Sequence, residues 1–441
     1  MNNPLTNPSS ISVRTEVLAG ISTFLATMYI IVVNPSILSQ AGLPFSGVLT
    51  ATVLLSFISS LMMGLYAKNP IVVAPGMGLN AFFTFTAVKT MGIRPEVALG
   101  AVFWAGVLFL LLSVFNVRSS IVKTIPQPLR YAVAAGIGLF ISLIGFENAR
   151  FIVGNPATLV GIASIKDPIV LTFLFGLMLM AVLVIRQVPG AIIIGIVLTT
   201  LAAWPIGRWY GDASAVNYGQ KTLVNFTEIV AAPDFSLLGR LDFINSLQLS
   251  LWPVIFAFVF TDLFDSLSTF VGVAEAADLY DEDGNPQHLD RSLLTDAVAT
   301  TLAGALGTSP GTAYIESAIG IEQGGRTGLT AVVAGCLFLP FLFLSPLLSV
   351  IPGIATAPAL VLVGAFMMKP VTKINWGALD EALPAFVALV LIPFAYSITQ
   401  GIIWGFLLWT VAKLAVGKRR EIPVGLWVVD AFCLLALFSG H

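Results

Sequence analysis

From Val17 to Ala67 the chain carries no Asp, Glu, Lys or Arg. A bilayer core about 30 Å thick asks for about 20 apolar residues per crossing helix, and this run is long enough for two crossings and a turn. The rest of the sequence agrees, with 57% of residues hydrophobic and 10% charged, against about 25% charged in soluble domains. The first apolar stretch, 17–38, is too long for a signal-peptide core and has no small-residue cleavage pattern after it. It reads as a mature helix.

The same composition excludes several function classes. Net charge is -2 and the basic residues are scattered, so no electrostatic footprint for nucleic acid exists. Cys336 and Cys433 lie in apolar segments without CxxC spacing, and both read as packing residues rather than a disulfide or zinc framework. With only His288 and His441, a His-ligated metal site or a buried His base is hard to build. No metal or cofactor is expected, and proton chemistry has to use carboxylates.

Apolar runs separated by charged or Pro/Gly-rich breaks fall at 16–39, 47–67, 70–88, 96–115, 128–146, 168–186 and 189–206, then at 248–275, 292–307, 309–321, 327–349, 355–371, 381–397 and 400–416. The two sets of seven correspond in order. The third member of each is short and interrupted, at Val72-Val73-Ala74-Pro75-Gly76-Met77-Gly78 and at Gly307-Thr308-Ser309-Pro310-Gly311-Thr312. Matched interruptions point to an inverted repeat with a binding site near the bilayer midplane. The expected fold is an all-α integral membrane protein with about 14 transmembrane segments in a seven-plus-seven inverted repeat and two interrupted half-helix segments. Residues 1–206 form the first repeat, 207–247 an extracytoplasmic linker, 248–416 the second repeat and 417–441 a C-terminal cytoplasmic or interfacial segment. Its apolar piece, 424–438, is short for a span. With fourteen spans, fourteen basic residues fall on the side of the termini and seven on the other, which places both termini in the cytoplasm of a multi-pass cell-membrane protein.

Acidic residues inside these spans are the candidates for function. Asp262 sits about 18 Å of helix from either end of its run at about 1.5 Å per residue. It cannot snorkel out, and at that depth an acid costs on the order of 2.5–3.5 kcal/mol. It is read as a substrate-binding or proton-carrying carboxylate; the competing reading satisfies it with Thr261 and Ser266. Asp265 follows at i+3 on nearly the same face. Two anions that close repel, and one proton relieves the repulsion.

Glu316 follows the Pro310-Gly311 break, in the first turns of a half-helix that starts inside the membrane. Unpaired N–H groups there favour its anion, whereas desolvation favours the acid, so its protonation should respond to substrate. Asn80 follows Pro75-Gly76 by a similar interval, and its amide can read the edge of a flat heterocycle. Phe82, Phe83 and Tyr314 flank these positions and could stack on an aromatic ring, although in a chain with 31 Phe packing is the stronger reading for the two phenylalanines.

The segment Val72-Val73-Ala74-Pro75-Gly76-Met77-Gly78-Leu79-Asn80-Ala81-Phe82-Phe83 resembles the nucleobase/ascorbate transporter superfamily, in its hypoxanthine/adenine/guanine purine permease branch. Three further stretches share the resemblance. They are Thr15-Glu16-Val17-Leu18-Ala19-Gly20 with Asn34-Pro35-Ser36-Ile37-Leu38, then Asp262-Leu263-Phe264-Asp265, then Tyr314-Ile315-Glu316-Ser317-Ala318 with Gly324-Gly325-Arg326-Thr327-Gly328-Leu329-Thr330. The resemblance runs over about residues 14–417. It implies core and gate domains, a gate-mediated homodimer contact, proton-coupled uptake of purine bases, and binding groups at Asn80, Asp262 and Glu316. Two departures stand out: Ser266 and Ser268 occupy positions where Thr and Gly are usual, and Pro310-Gly311 replaces a Thr-rich stretch. Base preference is left open. The expected partners are thus a nucleobase, a proton and the lipid bilayer. The alternatives are a uracil, xanthine, ascorbate or inorganic-anion carrier on the same fold, or an intramembrane hydrolase with Asp262 and Asp265 as a dyad.

Overall fold

The computed structural model describes residues 12–114, 126–214, 221–226, 228–277 and 286–438. His441 and the side chain of Ser268 lie outside the described set. In chain order the helices are α1 Val13–Thr27, α2 Ile30–Leu38, α3 Phe45–Leu65, α4 Met77–Ala81, α5 Pro95–Val114, α6 Gln127–Asn148, α7 Pro168–Ile185, α8 Ala191–Ala203, α9 Trp252–Ala277, α10 Leu289–Leu306, α11 Ala318–Glu322, α12 Gly328–Phe338, α13 Ser345–Ser349, α14 Gly353–Phe366, α15 Leu379–Phe394, α16 Ile398–Ala415 and α17 Val424–Phe438. A wider, π-type turn continues α4 over Phe82–Thr90. Four short strands complete the inventory: β1 Val73–Pro75, β2 Ile152–Asn155, β3 Leu159–Ile162 and β4 Gly311–Ala313.

Among the described residues eight helical segments are long and apolar enough to cross a bilayer, from Val13–Ala41 to Ile398–Ala415. The sequence reading expects more crossings, and the difference has physical causes. At 70–88 and 309–321 the chain is extended for three residues before it turns into a short helix, because prolines at 75 and 310 remove backbone donors and disfavour helix before them. Ala191–Ala203 and Leu379–Phe394 are helical over 13 and 16 residues, each shorter than a full perpendicular span.

The two interrupted segments meet. β1 and β4 pair antiparallel, with Val73 opposite Ala313, Ala74 opposite Thr312 and Pro75 opposite Gly311. Strand backbone in a lipid environment has to find every partner inside the protein, and side-chain hydroxyls supply what the pair itself does not. Ser60 Oγ donates to Val73 O at 3.2 Å and accepts from Val73 N at 3.1 Å. Val72 N donates to Ser317 Oγ at 3.0 Å, and Gly76 N donates to Pro310 O at 2.9 Å. The starts of the helical turns after Gly76 and Tyr314 are thereby fixed beside one another.

The helices pack in two sets. In one, α5 lies along α10, α3 along α12 and α10, and α1 along α12, with β1 and β4 in their midst. In the other, α6 lies along α14 and α15, α15 along α16, and α7 along α8 and α14. Contacts between the sets, such as α4 with α6 and α9 with α16, are sparse. Within the first set α3 and α12 cross at Gly64 and Gly328, where a Cβ on either would collide with the carbonyl of the other.

The described part of 207–247 is tied to the helix ends through Asp234 and Asp242. Ser46 Oγ donates to Asp234 Oδ2 at 2.6 Å, Asp234 N to Thr50 Oγ1 at 3.0 Å, and Arg94 pairs with Asp242 at 3.0 Å. The Asn245 side chain, with backbone N–H groups and Arg94, holds the Asp242 carboxyl below the usual range. The β2–β3 hairpin, between α6 and α7, has no counterpart in the sequence reading. α17 packs on α16, where Thr410 Oγ1 donates to Asp430 Oδ2 at 2.5 Å. Cys433 is buried as expected of a packing residue, whereas Cys336 is exposed on the outer side of α12, a lipid-compatible position for a small apolar thiol.

Candidate functional site

Four acids, two tyrosines and an amide network surround the β1–β4 pair. Tyr29 stands at the break between α1 and α2, and its hydroxyl donates to Glu316 Oε1 at 2.7 Å. Glu316 lies in the single turn of 3-10 helix, Ile315–Ser317, that leads from β4 into α11. Tyr314, just before that turn, donates its hydroxyl to Pro75 O at 2.5 Å, and its ring lies 6.5 Å from that of Tyr29. Asp265 on α9 acts electrostatically on both tyrosines and is itself acted on by Glu316. Asp265 and Glu316 keep part of their surface accessible. Asp265 and Glu316 are the reachable part of the site, and the buried Tyr29 and Tyr314 pack against them.

Behind it is a closed layer. Asp262, 0% exposed, accepts from Thr300 Oγ1 at 2.5 Å through Oδ2, while Oδ1 has no partner. Of the expected neighbours, Ser266 Oγ bonds Thr312 Oγ1 at 2.8 Å and accepts from Ala313 N at 3.3 Å, while Thr261 Oγ1 is buried without a partner. Asp296 on α10 is also 0% exposed and acts electrostatically on Asp262. Neither Asp296 oxygen makes a hydrogen bond of ordinary geometry, though the Ser266 hydroxyl and Ala313 N–H influence it. Two carboxyl groups buried beside each other repel when both are anionic.

Asn80 occupies α4, where its Nδ2 donates to Asn34 Oδ1 at 3.3 Å and its Oδ1 is buried without a partner. Asn34 is the hub of this corner. It donates to Thr52 Oγ1 and Thr308 Oγ1, each at 2.8 Å, and accepts from Ser309 Oγ at 3.1 Å. Such a fully wired amide fixes the helix starts relative to α2 and α3. Phe82 and Phe83 are 0% exposed, and Phe82 sits edge-on to Phe258 at 4.7 Å. Both pack in the interior.

Asp265, Tyr314 and Glu316 are thus brought together; Asn80, Asp262, Phe82 and Phe83 lie one layer away. Tyr29, Asn34, Asp296 and Thr300 are given no role in the sequence reading. Asp296 carried a usable signal, since it is an acid inside the apolar run 292–307 and the depth argument for Asp262 applies to it as well. Asn34 lay within a family-like stretch without a role attached. Nothing in its local sequence singles out Tyr29.

Residues 14–403 match the sequence model of a family described as "Permease family". The adenine permease AdeP of Escherichia coli (strain K12) is 42% identical over 428 residues, 96% of this chain and 93% of that protein. The guanine/hypoxanthine permease PbuO of Bacillus subtilis (strain 168) is 41% identical over 416 residues, 93% of this chain and 94% of that protein. Among solved structures, the transmembrane domain of a cyanobacterium bicarbonate transporter BicA superposes with a TM-score of 0.64 at 16% identity, over 89% of this chain and 97% of that one. That likeness concerns the fold. The chain belongs to the permease family so described, that of the nucleobase/ascorbate transporters.

Proposed function

We propose that this member of the nucleobase/ascorbate transporter family is a secondary active transporter that imports purine nucleobases, hypoxanthine, adenine and guanine among them, by proton symport across the cell membrane. The observation that carries the reading is the accessible pair Asp265 and Glu316, backed by the buried Tyr29 and Tyr314, beside paired half-helix starts. Carboxylates accept the ring and exocyclic N–H groups of a base, and relatives named for adenine and for guanine/hypoxanthine transport support that cargo.

In this reading the chain forms a seven-plus-seven inverted repeat, 1–206 and 248–416, joined by the extracytoplasmic linker 207–247. Both termini and 417–441 are cytoplasmic. The packing set containing α1–α5 and α9–α12 is the core domain, and the set containing α6–α8 and α14–α17 is the gate, through which two copies associate. A base binds at Glu316 and Asp265, and one carboxylate takes up a proton with it. Asp262 and Asp296 share a second proton behind them, and Asn80 keeps the first half-helix start aligned through Asn34. Sparse contacts between the sets let the core move against the gate and release base and proton inward.

An inorganic anion is the rival cargo that helix N-termini favour; four acids around the site repel it. The deciding experiment is uptake of radiolabelled hypoxanthine, adenine, guanine and uracil into purine-transport-deficient cells, wild type beside Glu316→Gln, with and without a protonophore. Protonophore-sensitive purine uptake that the substitution abolishes is the expected result. No base uptake by well-expressed wild type would end the assignment.

A further inference from the structure

A polar cavity lies away from the acid cluster, where the two packing sets meet at one end of the helices. Its volume is about 480 Å³, within the range of about 300–1,000 Å³ that small-molecule sites occupy. Gln40, Phe85, Lys89 and the exposed Thr90 line it from the first set, Glu147, Asn148, Arg150 and Tyr396 from the second. Lys89 Nζ donates to Gln40 Oε1 at 3.3 Å and lies 5.0 Å from the Phe85 ring, while Glu147 acts on it across the seam. The Tyr396 hydroxyl donates to Glu147 Oε2.

Thr86 Oγ1, from the first set, donates to Tyr396 O at 3.2 Å, and the Phe140 ring stands edge-on to Tyr396 at 5.2 Å and to Phe85 at 6.5 Å. The Phe82–Thr90 turn, which carries Thr86, continues directly from α4, which carries Asn80. Tyr396 is therefore both a wall of the cavity and the piece that bonds the two sets together there.

We propose that this cavity is an outer binding site for the purine base, occupied before the central one, and that the base displaces the Tyr396 hydroxyl from Glu147. The chemistry matches a flat heterocycle that both donates and accepts. Glu147 accepts ring or exocyclic N–H groups, Lys89 and the Asn148 amide donate to ring nitrogens or a carbonyl, and the aromatic pair supplies apolar faces. Release of Tyr396 from Glu147 loosens the backbone that Thr86 holds, which couples capture of the base to separation of the two sets. The inference rests on the purine-transport reading and on the orientation proposed with it.

The test uses full-length protein in cells, with Cys336→Ser to remove the exposed native thiol and Thr90→Cys to place a reporter at the rim. A membrane-impermeant thiol reagent is applied outside, with and without adenine, in this background and again with Glu316→Gln added. Adenine at ten times its dissociation constant should slow labelling about tenfold in both backgrounds, by simple occupancy. Protection that vanishes with Glu316→Gln would overturn the outer site, because it would report only a response to central binding. So would absence of protection in both, or labelling possible only from inverted vesicles. Adenine uptake in the same cells separates the two ideas. Uptake without protection sinks the outer site alone, protection without uptake upholds it and sinks the transport reading, and the absence of both sinks both.

Discussion

The carboxylate of Glu16, at the start of α1, accepts a 2.6 Å hydrogen bond from the hydroxyl of Thr330 in α12. The same carboxylate accepts from the backbone N–H groups of Arg326 at 2.9 Å and Thr327 at 3.1 Å. Glu16, 1% exposed, thus caps a helix that begins more than three hundred residues away and ties α1 to α12. Two of the family-like stretches, around 15–20 and 324–330, are the two sides of this one contact.

Glu16→Ala takes the carboxylate acceptor from two backbone N–H groups and a buried hydroxyl, which costs about 1–3 kcal/mol. A lowered thermal midpoint of the purified protein in detergent is expected, with the adenine dissociation constant of the folded fraction unchanged. A changed dissociation constant at unchanged stability would move Glu16 from the scaffold into the site.

Tyr29→Phe keeps the ring against Tyr314 and removes only the hydrogen bond to Glu316. Loss of a bond to a carboxylate is worth about 1–3 kcal/mol, so uptake at low base concentration should fall roughly five- to a hundredfold. Initial rates over a range of adenine concentrations check this, and wild-type rates would exclude Tyr29 from the site.

Asp296 is 0% exposed, and its proposed part is to share a proton with Asp262. Asp296→Asn in proteoliposomes should preserve exchange of labelled for unlabelled adenine and lose accumulation driven by a pH gradient. Accumulation at wild-type levels would show that the closed layer carries no coupling proton.

At the start of α15, Lys413 Nζ at 2.8 Å and Lys418 Nζ at 2.9 Å both donate to Asp380 Oδ2. Lys413 first and Lys418 second hold this carboxyl down to about 2. A depressed folded value means that the contribution is present in full above the unfolded value of about 4. It is lost as pH falls through about 2. Thermal midpoints of wild type and Asp380→Asn should therefore differ at pH 6 and converge as pH drops from about 4 to about 2. A constant difference across that interval would show that the pair does not titrate with unfolding.

Much of this molecule is written locally. Membrane insertion, the positions of the apolar segments and the breaks at Pro75 and Pro310 follow from hydropathy and backbone chemistry summed over neighbouring residues. The same reasoning selects Asp262, Asp265 and Glu316, because burial of an acid is costly wherever its helix ends up. Pairwise partnership is a different matter. That Val73 faces Ala313, that Tyr29 rather than a hydroxyl of α9 bonds Glu316, and that Thr300 rather than Thr261 bonds Asp262 depend on which helices lie side by side. So does the division of the acids into a reachable pair, Asp265 and Glu316, and a closed pair, Asp262 and Asp296. Hydropathy adds residue by residue along the chain, whereas these relationships arise from close packing between segments up to about three hundred residues apart, and only the tertiary structure decides them.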